Sequence, residues 1–356
     1  MLATSTGGVG RHVNAVARGL AARDVRVAVL GPRATDERFR FNVPFRAVEI
    51  GAGLRPLELL KTLGGLLRLR RFARGADVVH AHGFRAALVT SLALGRLRGR
   101  RGRRPAFVIT FHNAMSGGEF RRRMLGRMMR RLGRIADTVF VVSPDLASSI
   151  ENSQRALIAA AVSTPTRAAD EVRRALDISD RATVVLAVGR LHPQKGFDLL
   201  VRATALLPDA RNVVVVIAGD GPQRTELSAL IDALRVDVRL LGDRADVADL
   251  LQVADVVAMP SRWEGWPLTA GEVFAAGRPL VATAVGGLPE LVADAAVLVP
   301  PDDVAALAGA VGSLIQDAET AGIYRLRAAD RARELPTDDD VTRQLLTCYR
   351  GLASAS

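Results

Sequence analysis

The chain has one cysteine, Cys348, and two lysines, Lys61 and Lys195, among 356 residues. A single cysteine excludes an internal disulfide and any metal site built on paired thiolates. It reads as a small buried side chain in a reducing compartment. Aromatic residues make up 4% of the chain, so there are few platforms on which single-stranded nucleic acid could stack. No apolar run approaches the roughly 18 residues that a membrane span requires. The opening MLATSTGGVG lacks the basic start and apolar stretch of a secretory leader. A cytoplasmic location is therefore expected.

The near absence of lysine makes charge informative. Of the 49 basic residues all but two are arginine, so arginine is the default cation. A lysine inside RLHPQKGFD, residues 190–198, is an exception to that habit. Charge is also unevenly placed. Residues 1–160 carry 29 basic and 10 acidic residues, a balance of +19, whereas residues 161–356 carry 20 and 27, a balance of −7. Such asymmetry points to two domains with different surroundings.

Short apolar runs alternate with helical patterns along the whole chain. Strands are predicted over 25–31, 45–50, 78–82, 107–112 and 138–143 in the first half. In the second they are predicted over 184–189, 213–219, 237–242, 255–261 and 279–285. Most are continuous apolar runs, as parallel strands buried on both faces require. Helices are predicted over 11–23, 55–74, 222–235, 265–276 and 302–317. The alternation predicts an α/β fold of two doubly wound domains. The strand rhythm breaks within 155–180, which places the domains at 1–160 and 161–336, followed by a capped helix in 337–356. Its apolar stripe is Val341, Leu345, Tyr349 and Leu352, and acids crowd its first turn, where the helix dipole favours them.

Ligands of such folds sit beyond the carboxyl ends of the strands, and the unusual residues fall there. GGVGRH opens a helix, and GRLHPQKG, AGDGP, PSRWEGWP and AVGGLPE follow strands. Four of the five histidines, His12, His80, His82 and His112, lie at strand ends or beside the first glycine-rich loop. Gly7, Gly8 and Gly10 would let backbone approach a ligand, with the unpaired N–H groups of the following helix behind them.

Taken in order, TSTGGVGRHV, DVVHAHG, VGRLHPQKG, AGDGP and EGWPLTAGEVFAAGRPLVATAVGGLPELV resemble glycosyltransferase family 4. The likeness runs through nearly the whole chain, and its most specific part is the pair Glu264 and Glu272 followed by the two glycine turns. The resemblance implies a retaining transferase of GT-B architecture, with two Rossmann-like domains facing a cleft and a last helix crossing back to the N-terminal domain. A UDP-, GDP- or ADP-sugar would bind the C-terminal domain and a sugar or lipid-linked acceptor the N-terminal one. No metal would be needed, because Arg190 and Lys195 would stabilise the departing diphosphate. Arg190 offers a planar fork of donors and Lys195 a compact charge. Glu272 would accept the ribose hydroxyls, and Glu264 would lie near the sugar or its phosphate. Gly189, Gly265, Trp266, Pro267 and Leu268 complete the donor loops; Pro267 has no N–H to give. In the N-terminal domain the glycines at 7, 8 and 10 would touch the donor, His82 the transferred sugar, and His12 and His112 the acceptor side. Glu290 is expected to order its own turn.

Two other functions compete. A non-hydrolysing nucleotide-sugar epimerase shares the architecture, but would need further acid and base groups at the sugar. Nucleic-acid binding is suggested by GRLRGRRGRRP, residues 95–105, yet no recognition motif accompanies it, and no nucleic-acid partner is expected. Residues 119–135 place Phe120, Met124, Met128, Leu132 and Ile135 at helical spacing among arginines, which predicts docking on an anionic membrane surface, here the inner face of the plasma membrane, with an acceptor in envelope polymer or glycolipid synthesis. Only Met1, Leu2 and Ala3 precede the first glycine-rich loop, where the architecture places a central strand. A truncated first strand is expected there, with the true start upstream.

Overall fold

The computed structural model describes all residues except 4–6, 52–55, 96–103, 113–118, 161, 208–211 and 356. Most of the basic 95–105 stretch therefore lies outside the described residues. Internal contacts divide the chain into two units, Met1–Ala159 with Pro336–Ser356, and Ala160–Leu335.

The first unit runs α1 (Gly8–Ala21), β1 (Val29–Gly31), α2 (Arg33–Phe39), β2 (Phe45–Ala47), α3 (Pro56–Ala73) and β3 (Val78–His82). It continues with α4 (Phe84–Leu94), β4 (Ala106–Phe111), α5 (Glu119–Ile135), β5 (Thr138–Val141), α6 (Pro144–Ser149) and β6 (Gln154–Arg155). Its strands pair in parallel, β1 with β2 and β3-β4-β5-β6 as a four-stranded sheet. Every residue of β4 is buried, as its unbroken apolar run requires. Leu2 lies between the two sheets. Its N–H donates to Leu30 O at 2.8 Å, and it bridges to His82, whose own N–H donates to Met1 O at 3.0 Å.

β1 has three residues where the apolar run suggested seven. A strand extends only as far as neighbours accept its hydrogen bonds. Val25 and Val27 instead pack on a core formed by Val16, Leu20, Val108 and Phe140 with the last helix. Cys348 is half-buried on the same core and is a free thiol.

The second unit holds α7 (Ala169–Ala175), β7 (Thr183–Val188), α8 (Phe197–Thr204), β8 (Val213–Ala218), α9 (Arg224–Leu234), β9 (Val238–Gly242), α10 (Val247–Val253) and β10 (Val256–Met259). It ends with α11 (Leu268–Ala275), β11 (Leu280–Thr283), α12 (Leu288–Val292), β12 (Val297–Val299), α13 (Val304–Gln316) and α14 (Ala318–Glu334). Six parallel strands stand in the order β12-β11-β10-β7-β8-β9. Side chains alternate across this sheet: Val184 and Leu186 enter one core, Val185 and Ala187 the other. Both faces are thus covered, which defines a doubly wound, Rossmann-like unit. The strand order reverses between β7 and β10.

α15 (Asp338–Ala355) belongs to the first unit. Thr337 and Asp340 cap it reciprocally: the Asp340 N–H donates to Thr337 Oγ1 at 3.2 Å, and the Thr337 N–H to Asp340 Oδ2 at 2.9 Å. This is a capping box. Val341 and Leu345 are buried beside Val16 and Leu20 of α1, with Tyr349 and Leu352 partly buried alongside. Among the described residues no helix is long and apolar enough to cross a membrane.

Candidate functional site

The residues singled out in the sequence form two constellations, one in each unit. In the second unit the loops after β7 and β10 leave the sheet where strand order reverses, the position at which such folds take their ligands. The loop after β7 is held at Leu191. Its side chain is fully buried, its N–H donates to Asp220 O at 3.1 Å, and its carbonyl accepts from the Gln223 N–H at 3.1 Å. The AGDGP turn is therefore the support of this loop. His192 Nδ1 accepts the Gln194 N–H at 3.2 Å and caps a single 3₁₀ turn, Pro193–Lys195. That turn delivers Lys195. Its stem crosses Gly189 so closely that a Cβ there would stand 3.1 Å from Lys195 Cε.

Lys195 Nζ donates to Glu264 Oε1 at 2.5 Å. Ser261 Oγ donates to the same oxygen at 2.8 Å, and Gln194 Nε2 to Glu264 Oε2 at 3.5 Å. Glu264 is 7% exposed. A carboxylate this buried keeps its charge only when a cation and further donors offset the lost hydration. Its backbone rests on the glycine turn of AVGGLPE. Gly286 has φ +56°, and a Cβ there would fall 1.9 Å from Glu264 O. Gly287 N–H donates to Gly265 O at 3.1 Å.

Arg262 ties the two loops a second time. Its guanidinium donates to both Asp198 oxygens at 2.8 Å, to Asp302 at 2.7 Å and to Pro193 O at 3.0 Å. Burial pushes the Asp198 carboxyl up, but the Arg262 hydrogen bonds and charge outweigh it and hold it below the usual carboxylate range. Sequence reading passed over Gln194, Asp198, Ser261 and Arg262, although all four lie in the quoted loops. Arg190 is exposed at the end of β7. Pro267 precedes α11 with φ −73°, Leu268 is its first residue, and Glu272 lies in its second turn, 6% exposed. Gly265 and Trp266 connect Glu264 to that helix.

In the first unit the histidines converge. His80 and His82 share one face of β3, His112 follows β4, and His12 sits in the first turns of α1. The parallel register sets His82 beside Thr110, so His112 arrives next to His82, with His82 Nδ1 and His112 Nε2 3.1 Å apart. His12 stands edge-on to both, with ring centroids at 5.8 and 5.4 Å. His80 lies 4.1 Å from His82 between centroids. Both its nitrogens are engaged, Nδ1 with Tyr349 OH at 2.5 Å and Nε2 with Thr110 Oγ1 at 2.7 Å. Gly7 is exposed and Gly8 starts α1. Gly10 instead faces Phe39, whose ring a Cβ would meet at 2.2 Å, so its smallness serves packing inside the unit.

Burial pushes the His12 imidazole down to about 4. Burial, and then the neighbouring charged groups, push His80, His82 and His112 well below the ordinary histidine value. All four are neutral at pH 7 and can donate at one nitrogen and accept at the other.

Comparison with known proteins places each unit. Residues 6–157 match the family model described as Glycosyltransferase Family 4, and residues 182–317 that described as Glycosyl transferases group 1. The D-inositol 3-phosphate glycosyltransferase of Mycobacterium sp. (strain KMS) is 41% identical over 155 residues, covering 40% of this chain and 34% of that protein. Its namesake in Salinispora tropica is 38% identical over 193 residues, covering 50% and 40%. The matches thus span between a third and two fifths of the length of these curated relatives. Among solved structures, Anabaena HepE in complex with UDP-glucose matches with a TM-score of 0.84 at 22% identity over 98% of both chains. A glycosyltransferase from Rickettsia africae matches at 0.76 and 17% identity, covering 100% of this chain and 98% of that one. The fold class is GT-B, two Rossmann-like units in one chain.

The neutral histidines make stability depend on pH in a defined window. The unfolded chain binds protons near pH 6.5 that folded His12 refuses until about 4. Stability is therefore complete above about pH 6.5 and falls as the pH drops from there towards 4. His12 alone accounts for a loss on the order of 2 kcal/mol between pH 7 and pH 5. Urea unfolding followed at the two pH values should show this loss, and His12→Asn should reduce it. An unchanged midpoint in the unsubstituted chain would contradict the neutral cluster.

Proposed function

We propose that this chain, which belongs to the family 4, group 1 glycosyltransferases, moves a sugar from a nucleotide-diphosphate donor to an acceptor hydroxyl with retention of configuration. The observation that carries the proposal is the Lys195–Glu264 pair at the β7/β10 reversal, with an exposed Arg190 at the start of the loop that delivers Lys195. As the sugar–oxygen bond breaks, negative charge builds on the diphosphate. Lys195, pre-placed by Glu264, and Arg190 are the cations that meet it. Glu264 keeps the ammonium in position before the donor arrives, and the phosphate then competes for the same proton donors. No metal is required in this reading.

Glu272 is assigned the ribose hydroxyls, because an ionised carboxylate offers two acceptors and no donor. Gly265, Trp266 and Leu268 line the donor loop, and Pro267 withholds a donor at one position. In the first unit Gly7 and Gly8 offer backbone to the donor, His82 contacts the transferred sugar, and His12 and His112 face the acceptor. Same-face attack, with the leaving phosphate taking the acceptor's proton, needs no protein nucleophile. A UDP-sugar is the first donor to test, since Anabaena HepE is solved with UDP-glucose. A thermal-shift screen against UDP-, GDP- and ADP-sugars identifies the base, because saturation at 100 times Kd adds roughly 2.7 kcal/mol of stability.

Lys195→Ala and Arg190→Ala should each lower turnover by roughly 10²–10³-fold, the scale of one preorganised charge-stabilising group. Truncating Lys195 also strands a buried carboxylate, so the double variant Lys195→Met/Glu264→Gln, with both charges removed, separates folding from chemistry. It should fold and remain inactive; activity in the double variant would remove the phosphate assignment. Glu272→Ala should chiefly raise the donor Kd, because ribose contacts are equal in ground and transition states. A lower kcat at unchanged donor affinity would contradict that role.

The acceptor is proposed to belong to an envelope glycoconjugate, through docking of α5 on anionic lipid at the inner face of the plasma membrane. Met129 and Leu132 of α5 pack inward, each 4% exposed, whereas Met124 and Ile135 are 44% and 45% exposed. Leu132 therefore leaves the expected stripe for the core, and the side chain of Phe120 lies outside the described residues. Met124 and Ile135 are eleven residues apart, which is close to three helical turns, and share a face bordered by the exposed Arg123, Arg127, Arg130, Arg131 and Arg134. Co-sedimentation with anionic vesicles, lost on neutral ones and on joint substitution of Met124 and Ile135 by Ser, is expected. Equal binding to both vesicle types, or to neither, removes the membrane assignment.

A further inference from the structure

We infer that His12, His82 and His112 form a site for a first-row transition-metal dication, with Zn²⁺ as its best-matched ion. The three side chains come from α1, the last residue of β3 and the residue after β4, so the fold alone assembles them. One ligand nitrogen from each lies within 4.8 Å of the other two. His82 Nδ1 and His112 Nε2 are 3.1 Å apart. Two ligands each about 2.0–2.1 Å from a tetrahedral zinc stand roughly 3.3 Å apart, so this pair already has the required spacing. His12 supplies the third ligand atom, within 4.8 Å of both others, and its ring meets theirs edge-on at 66° and 68°.

The fourth histidine of the cluster defines the ligand set by exclusion. His80 has both nitrogens committed, to Tyr349 OH and Thr110 Oγ1. It cannot ligate without breaking those bonds, and it forms the wall against which the His82 ring rests. Three imidazoles with no thiolate or carboxylate select zinc, copper, nickel or cobalt over magnesium, calcium or manganese. Each of the three residues is 9% exposed or less, so few water molecules compete. Binding needs a tautomer shift and no net proton release. At present one of the facing nitrogens carries the hydrogen. In the bound form that hydrogen moves to the far nitrogen of its ring, and both lone pairs face the ion. Three protein ligands leave one tetrahedral position for water or a substrate oxygen.

An occupied site takes up the His82 side chain, which the proposed function sets against the sugar. Zinc is then an inhibitor of transfer rather than a participant. That consequence rests on the proposed function; the metal site does not. The test begins with full-length chain stripped of metal and titrated with Zn²⁺ by isothermal calorimetry, and with Co²⁺ followed by visible absorption. One equivalent of Zn²⁺ per chain and the absorption of four-coordinate Co²⁺ are expected. His12→Ala and His112→Gln should each weaken zinc binding by at least 100-fold while far-ultraviolet circular dichroism stays unchanged. No binding by the unsubstituted chain, or binding undiminished in both variants, overturns the site. With any donor that supports transfer, activity unaffected at saturating zinc overturns the inhibition alone. Absence of transfer with every donor would count against the proposed function and leave the titration readable.

Discussion

The ion pair between Lys195 and Glu264 is the constraint around which the second unit is arranged. Two opposite charges 2.5 Å apart, on side chains 18% and 6% exposed, attract strongly, but each has given up part of its hydration. The balance is favourable only because other donors complete the carboxylate. Ser261 and Gln194 supply them, and Arg262 locks the segments that carry Ser261 and Gln194 to each other through Asp198. The glycine turn after β11 leaves room for the Glu264 carbonyl where any side chain would collide with it. Much of what looks like separate motifs in the chain is one support for one placed ammonium.

Strand order explains why this support stands where it does. β7 and β10 are neighbours in space but are separated in sequence by β8 and β9. The helices that follow them, α8 and α11, pack on opposite faces of the sheet, and it is at such a reversal that ligands of these folds bind. A charged pair there costs no core packing. The same pair beneath β8, whose residues are buried throughout, would interrupt both cores.

The first unit solves a different problem with neutral groups. Four imidazoles gather at the ends of β3 and β4 and at the start of α1, and burial keeps them uncharged. A cluster of cations there would repel itself, whereas neutral rings can accept and donate at close range. α15 takes part, because Tyr349 fills one of the two bonds of His80. The last helix therefore does more than cover apolar surface on α1. It sets the orientation of the ring on which His82 rests.

Much of this was legible in the amino-acid order, for reasons that are local. Most of the ten predicted strands are continuous apolar runs, which suit strands covered on both faces, and their alternation with helical patterns carried the doubly wound class. β6 and β12, of two and three residues, were not among them. Lys195 stood out through composition, since a chain that uses arginine by default needs a reason for lysine. Glu264 and Glu272 stood out through the family resemblance that their spacing and the following glycine turns carry. What the order of residues could not supply was partnership across distance. The meeting of Lys195 and Glu264 across a separation of 69 positions, the convergence of residues 12, 82 and 112 and the inward turn of Leu132 on α5 follow from how the strands and helices pack. That is decided by which apolar faces meet when the whole chain folds, a property of the assembled fold and of no single segment.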